Sequence, residues 1–186
     1  MTILGISGSL RTGSYNTAVI AAAIERAPDG VEVVLFDGLK AVPPYDADDD
    51  HEAPPPGVGE LREAIAGADA VLFSTPEYNS SIPGVLKNAI DWASRPFPDS
   101  ALRGKPVAVA GATTGSFGAV WAQTELRKVL ATTGARVIED TVAVPRAQER
   151  IDPVGRLAGD DVLAELDAVL AALVKEVEIP ASLTRS

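Results

Sequence analysis

Thr2-Ile3-Leu4-Gly5-Ile6-Ser7-Gly8-Ser9-Leu10-Arg11-Thr12-Gly13-Ser14-Tyr15-Asn16 passes from an apolar, β-branched run into a turn rich in glycine and hydroxyl groups, then opens onto a helical pattern. Thr2 to Ser7 predicts a strand. Ser14 to Ala27 predicts a helix with Val19, Ile20, Ala23, Ile24 and Ala27 on one face. A helix start leaves N–H groups without an intrahelical acceptor, and together with the helix dipole these favour an anion. Ser9, Thr12, Ser14 and Asn16 can add hydrogen bonds, and Arg11 can add charge. The spacing Gly8-x-x-x-x-Gly13-Ser14 imitates a P-loop but lacks its lysine, so the loop suits a monophosphate better than β/γ-phosphates. The competing reading is a plain Gly-rich turn capped by Ser14.

Working outward, the same alternation repeats along the chain. Val31 to Phe36, Ala70 to Ser74, Val107 to Ala110 and Val137 to Val144 predict four further strands, the last bending near Glu139-Asp140. Val71-Leu72-Phe73 reads as buried on both faces, as in a parallel sheet. Between them lie helical patterns at Gly57 to Gly67, at Ile82 to Ala93 with Pro83 in the first turn, and at Phe117 to Thr133, stopped by Gly134. A final helix is predicted over Asp160 to Val177, with Val162, Leu163, Leu166, Val169, Leu170, Leu173, Val174 and Val177 on its apolar face. This alternation predicts a parallel sheet with helices on both faces. Five strands without a sixth favour the flavodoxin-like, doubly wound order 2-1-3-4-5 over the longer Rossmann order. One domain is expected over residues 1–186, without internal repeats. The acidic segment Ala41 to Gly57 reads as a surface loop, or more pointedly as a loop at the rim of a site.

Composition narrows the function. Sixteen Lys and Arg against 26 Asp and Glu give a net charge of -10, which argues against general nucleic-acid or membrane-surface binding. The absence of cysteine excludes disulfides, thiolate nucleophiles and Cys-based metal sites. His51 is the one histidine, too few for a His-based metal site, and no Gly-x-Ser-x-Gly elbow offers it a serine partner. No metal is expected. No apolar run is long enough to cross a bilayer, and Met1 to Gly5 has no basic leader character, so the cytoplasm is the expected compartment.

Two more loops follow predicted strand ends, the place where open α/β sheets bind ligands. Thr75-Pro76-Glu77-Tyr78-Asn79-Ser80-Ser81-Ile82-Pro83 brings an aromatic ring and polar groups to the end of the third strand. Gly111-Ala112-Thr113-Thr114-Gly115-Ser116-Phe117-Gly118 is small enough for a ligand to approach the backbone closely. Either alone reads as a turn or linker; three at consecutive strand ends read as a site. Asp37, after the second strand, reads as an ordinary strand-end residue, since the first loop lacks Gly-x-Gly-x-x-Gly.

Gly8, Ser9, Leu10, Arg11, Ser14 and Asn16, the long run from Pro76 to Trp92, and Gln123, Leu126 and Arg127 after the third loop resemble the NADPH-dependent FMN reductase family. That family is flavodoxin-like and includes quinone, chromate and azo-dye reductases. The resemblance spans about Thr2 to Val144. It implies an FMN phosphate site at Ser9, Arg11, Ser14 and Asn16. It implies an isoalloxazine site at Pro76, Glu77, Tyr78 and Asn79, with Thr114, Gly115 and Ser116 as a third wall. It also implies NADPH or NADH as reductant, and a homodimer, with a tetramer as a further assembly, in which the neighbouring subunit helps to close each pocket. Thr113, Ala119 and Trp121 depart from the usual serine, glycine and arginine.

The expected activity is an oxidoreductase that passes electrons from NAD(P)H through FMN to a small acceptor, such as a quinone, azo dye, chromate or free flavin. No catalytic side chain is needed, because the flavin carries the chemistry while backbone amides stabilise charge on the reduced ring. A flavodoxin-type electron carrier without NAD(P)H oxidation is the alternative. A dimer also accords with Trp92-Ala93-Ser94-Arg95-Pro96-Phe97, an aromatic and arginine-bearing segment expected to be exposed.

Overall fold

The computed structural model describes residues 1–179. Five strands, β1 (Thr2–Ser7), β2 (Glu32–Phe36), β3 (Ala70–Thr75), β4 (Pro106–Ala112) and β5 (Arg136–Val144), form one sheet in the order β2-β1-β3-β4-β5. All four pairings are parallel. β3 and β4 are buried along their whole length, which is why both read as continuous apolar runs.

The helices are α1 (Tyr15–Glu25), α2 (Pro56–Gly67), α3 (Gly84–Ala93), α4 (Val120–Thr132), α5 (Ala147–Arg150) and α6 (Asp160–Glu178). Val19, Ile20 and Ala23 of α1 share one apolar layer with Val162, Leu166, Val169, Leu170 and Leu173 of α6. Leu61 and Ile65 of α2, Leu86 and Ile90 of α3, and Leu126 and Leu130 of α4 form the other layer. Because β1 pairs with both β2 and β3, the chain reverses winding between them, and the switch point falls beside the β1 and β3 ends. A Cβ on Gly5 would lie 2.4 Å from Ile20 Cγ2, so glycine there lets α1 press onto β1.

Several local expectations are corrected. Ile24 is exposed rather than buried, since α1 leans its Val19–Ala23 surface on the sheet. Pro83 is the N-cap of α3, one residue before its first turn. α4 begins at Val120 instead of Phe117, because Gly118 and Ala119 take left-handed conformations (φ 59° and 62°) that interrupt a helix. The bend expected near Glu139-Asp140 is a register shift: Val107 pairs with Val137, but Val109 pairs with Thr141. Short α5 has no counterpart in the periodicity.

Trp92 is the clearest reversal. Expected at the surface, it is fully buried, and its Nε1–H donates to the Pro43 carbonyl at 2.9 Å. The Tyr45 ring meets it edge-on, 4.8 Å between centroids, and Arg62 lies over its face. Arg62 also pairs with Asp50 at 2.8 Å, which anchors the acidic loop to α2 and α3. Of that segment's two aromatic rings only Phe97 is exposed.

Candidate functional site

β1 delivers the first loop to the carboxyl edge of the sheet. The Gly8 N–H donates to Ser74 O of β3 at 2.8 Å, which starts the loop at the switch point. A Cβ on Gly8 would meet Leu86 and Pro76 at 2.9 and 3.3 Å, so the first two loops approach through glycine. Ser14 caps α1: its Oγ accepts from the N–H groups of Asn16 and Thr17 at 3.2 and 3.3 Å. The N–H groups of Thr12, Gly13, Ser14 and Tyr15 take no acceptor among the described residues. Arg11 is exposed and stands over the Tyr15 ring, 4.8 Å from its centroid. Free amides at a helix start beside a guanidinium without a carboxylate partner among the described residues are groups that favour an anion.

Asn16 does different work from its neighbours. It is buried, its Oδ1 accepts from Ala112 N at 3.0 Å and Ser74 Oγ at 2.9 Å, and its Nδ2 donates to Ala112 O at 3.0 Å. One carboxamide thus ties the start of α1 to the ends of β3 and β4.

In the second loop Tyr78 and Ser81 exchange both backbone hydrogen bonds, at 3.0 and 3.1 Å. Asn79 and Ser80 between them have φ of 53° and 60°, the signature of a two-residue type I′ hairpin turn. Asn79 is therefore at an exposed hairpin tip. Glu77 turns the other way: its Oε2 accepts from the N–H groups of Trp121 and Ala122, both at 3.1 Å. Ser81 Oγ donates to Glu125 one turn further along α4.

The third loop is held from β5. Thr113 N–H donates to Val144 O, Ala147 N–H to Thr113 O, and Arg146 N–H to Gly115 O, at 2.9–3.1 Å. Buried Gln123 donates to Gly118 O at 2.7 Å and accepts from Thr141 Oγ1. Asn79, Ser80, Ala119 and Arg146 are the non-glycine residues with positive φ among the described residues. Asn79 and Ser80 lie in the second loop, Ala119 directly follows the third, and Arg146, after β5, donates to Gly115 O of the third; backbone strain of this kind concentrates at functional sites.

A cavity of roughly 280 Å³ opens between the loops. It is lined by Ser9, Arg11, Ser14 and Asn16 from the first loop, Pro76, Glu77 and Tyr78 from the second, and Thr114 from the third. Asn79, Gly115 and Ser116 lie outside the lining. Tyr15, Ala112 and Thr113 line it without having been singled out beforehand. Tyr15 carried no signal beyond its place at the helix start; Ala112 and Thr113 lay in the flagged loop.

An order of β2-β1-β3-β4-β5 with a helix start and a cavity at the switch point defines a flavodoxin-like protein. The family model for NADPH-dependent FMN reductases matches residues 1–149. Over 172 residues the chain is 45% identical to the NAD(P)H-dependent FMN reductase of Pseudomonas aeruginosa, covering 92% of each. It is 38% identical over 175 residues to the quinone reductase of Escherichia coli strain K12, covering 92% of this chain and 93% of that one. The solved structure of FerB, a flavoenzyme NAD(P)H:(acceptor) oxidoreductase from Paracoccus denitrificans, superposes with a TM-score of 0.84 at 34% identity, covering 95% of this chain and 97% of that one. The chain belongs to the NADPH-dependent FMN reductase family.

Proposed function

We propose that the cavity binds FMN and that the chain is an oxidoreductase carrying electrons from NADPH or NADH to a small acceptor: a quinone, an azo dye, chromate or free flavin. The observation that carries this reading is the set of free N–H groups from Thr12 to Tyr15 beside Arg11, at a cavity walled by two further strand-end loops. That donor set fits a phosphate monoester: several amides and one guanidinium, with no lysine or metal cluster beside them among the described residues. Bound there, FMN supplies the electron transfer that no side chain of this protein can perform.

The chain's own residues then have the following roles. Arg11, the Ser9 hydroxyl and the free amides at the start of α1 hold the phosphate. Ser14 keeps that helix start in shape through its cap, and Asn16 fixes it to β3 and β4. Pro76, Tyr78 and the backbone of Glu77 form one side of the ring site, with Asn79 at the hairpin tip beyond them; Thr114 forms the other, with Gly115 and Ser116 next to it outside the cavity lining. Exposed Tyr78 presents a flat apolar face to an aromatic ligand. The whole chain, 1–186, is taken as one FMN-binding domain working in the cytoplasm as a homodimer, or as a tetramer built from it. Support for the dimer is the family likeness together with Phe117 and Trp121, 63% and 50% exposed at the rim of the site. Light scattering on the FMN-loaded protein checks it.

The curated relatives are named as reductases, which favours the enzyme over an electron carrier. Anaerobic titration with NADPH and NADH, followed at the flavin absorption band, separates the two. Bleaching by either nicotinamide supports the enzyme. Bleaching by dithionite alone returns the carrier reading.

A further inference from the structure

α4 begins without a cap of its own. Its N-cap position is Ala119, which has no side-chain acceptor and is left-handed instead of extended. An N-cap side chain ordinarily accepts from the second and third amides of its helix. Here those amides belong to Trp121 and Ala122, and the acceptor for both is Glu77 Oε2, from a different loop and more than 40 residues away in sequence. The negative carboxylate also complements the positive end of the helix dipole.

We propose that Glu77 acts through its side chain as a positioning residue: it caps α4 in trans and holds the second and third loops at a set separation across the cavity. A second tie points the same way, since Ser81 Oγ donates to Glu125 on the next turn of α4. The hairpin Tyr78–Ser81 is thus clipped to α4 on both flanks. Trp121 on α4 meets Phe117 of the third loop edge-to-face, 5.1 Å between centroids, so the clasp also fixes where that exposed aromatic surface lies relative to Tyr78. Glu77 Oε2 is engaged by the helix start while the residue lies on the wall of the cavity. What the separation does for turnover rests on the function proposed above; the cap itself does not.

The test uses the full chain loaded with FMN, with Glu77→Ala and Glu77→Gln. Amide exchange at Trp121 and Ala122, read by NMR, is expected to speed about tenfold in Glu77→Ala, as loss of a typical cap would give. Glu77→Gln keeps an acceptor oxygen and should restore most of the protection. In Glu77→Ala the acceptor KM should rise several-fold, while the FMN Kd stays within about twofold of the parent. Unchanged exchange at both amides in Glu77→Ala overturns the proposal. So does an FMN Kd weakened more than about tenfold in both variants, which marks a direct cofactor contact. If Glu77→Ala does not fold, Glu77→Asp, too short to keep both bonds, gives the same reading. A parent that takes up no FMN or does not oxidise NAD(P)H defeats the proposed function and leaves the exchange result standing by itself.

Discussion

Asn16→Ala removes one small side chain and three buried hydrogen bonds: to Ala112 O, from Ala112 N and from Ser74 Oγ. Three such bonds at about 1 kcal/mol each make about 3 kcal/mol, and the stranded backbone groups of Ala112 raise the loss towards about 5 kcal/mol. For a domain of this size each kcal/mol lowers Tm by about 2–4 °C, so a fall of about 6–12 °C is the least expected. The assay is thermal unfolding by circular dichroism, on protein stripped of flavin and again with FMN. The stripped protein is decisive, because a clasp between α1, β3 and β4 stabilises the fold with or without ligand. Asn16→Asp keeps an acceptor but replaces the donor that faces Ala112 O, so it should lose about as much at neutral pH. If stripped Asn16→Ala melts within about 2 °C of the parent while FMN affinity falls, Asn16 is a phosphate ligand and the clasp argument is wrong.

Arg11→Ala should leave Tm of the stripped protein unchanged and weaken FMN binding by about 1–3 kcal/mol, a loss that shrinks at high salt; flavin-fluorescence titration measures it. Ser80→Gly should stabilise the hairpin by about 1 kcal/mol by relieving its positive φ, and Ser80→Val should cost about 1–2 kcal/mol, read from denaturant midpoints. Hydrogen bonding from Arg150 to Asp161 and from Arg26 to Asp167 holds both carboxyls below their ordinary pKa. A depressed folded-state pKa stabilises above the unfolded value and is lost as pH falls through the folded one, so this contribution should fade below about pH 4. Asp161→Asn with Asp167→Asn should flatten the stability profile there, by a small amount because both pairs are exposed.

What could be read along the chain was whatever has a local period. The apolar runs Leu4–Ile6, Val71–Phe73 and Val107–Ala110 marked parallel strands, and the five-fold alternation implied the strand order later found. The loop after β1 was legible as a turn that opens a helix because a strand, a glycine turn and a helix start are consecutive in sequence. Capping of α1 by Ser14 was legible for the same reason, since donor and acceptor are two or three residues apart.

The remaining features depend on groups that meet only after the strands are stacked. Trp92 looked exposed because its neighbours Arg95 and Phe97 are surface residues; its burial follows from Pro43, 49 positions away. Asn16 read as a phosphate ligand from its loop, yet its carboxamide is taken up by Ala112, 96 positions away. Glu77 read as part of a ring site, and only the placement of α4 over the β3 loop shows its carboxylate on the Trp121 and Ala122 amides. Periodicity reports which face of an element is apolar, and that is enough to decide layers; the strand order was inferred from the count of five alternating strands. It carries no record of the partner of a buried polar group, because that partner is set by which strand ends lie side by side, and parallel strands joined by helices bring together residues 40 to 100 positions apart.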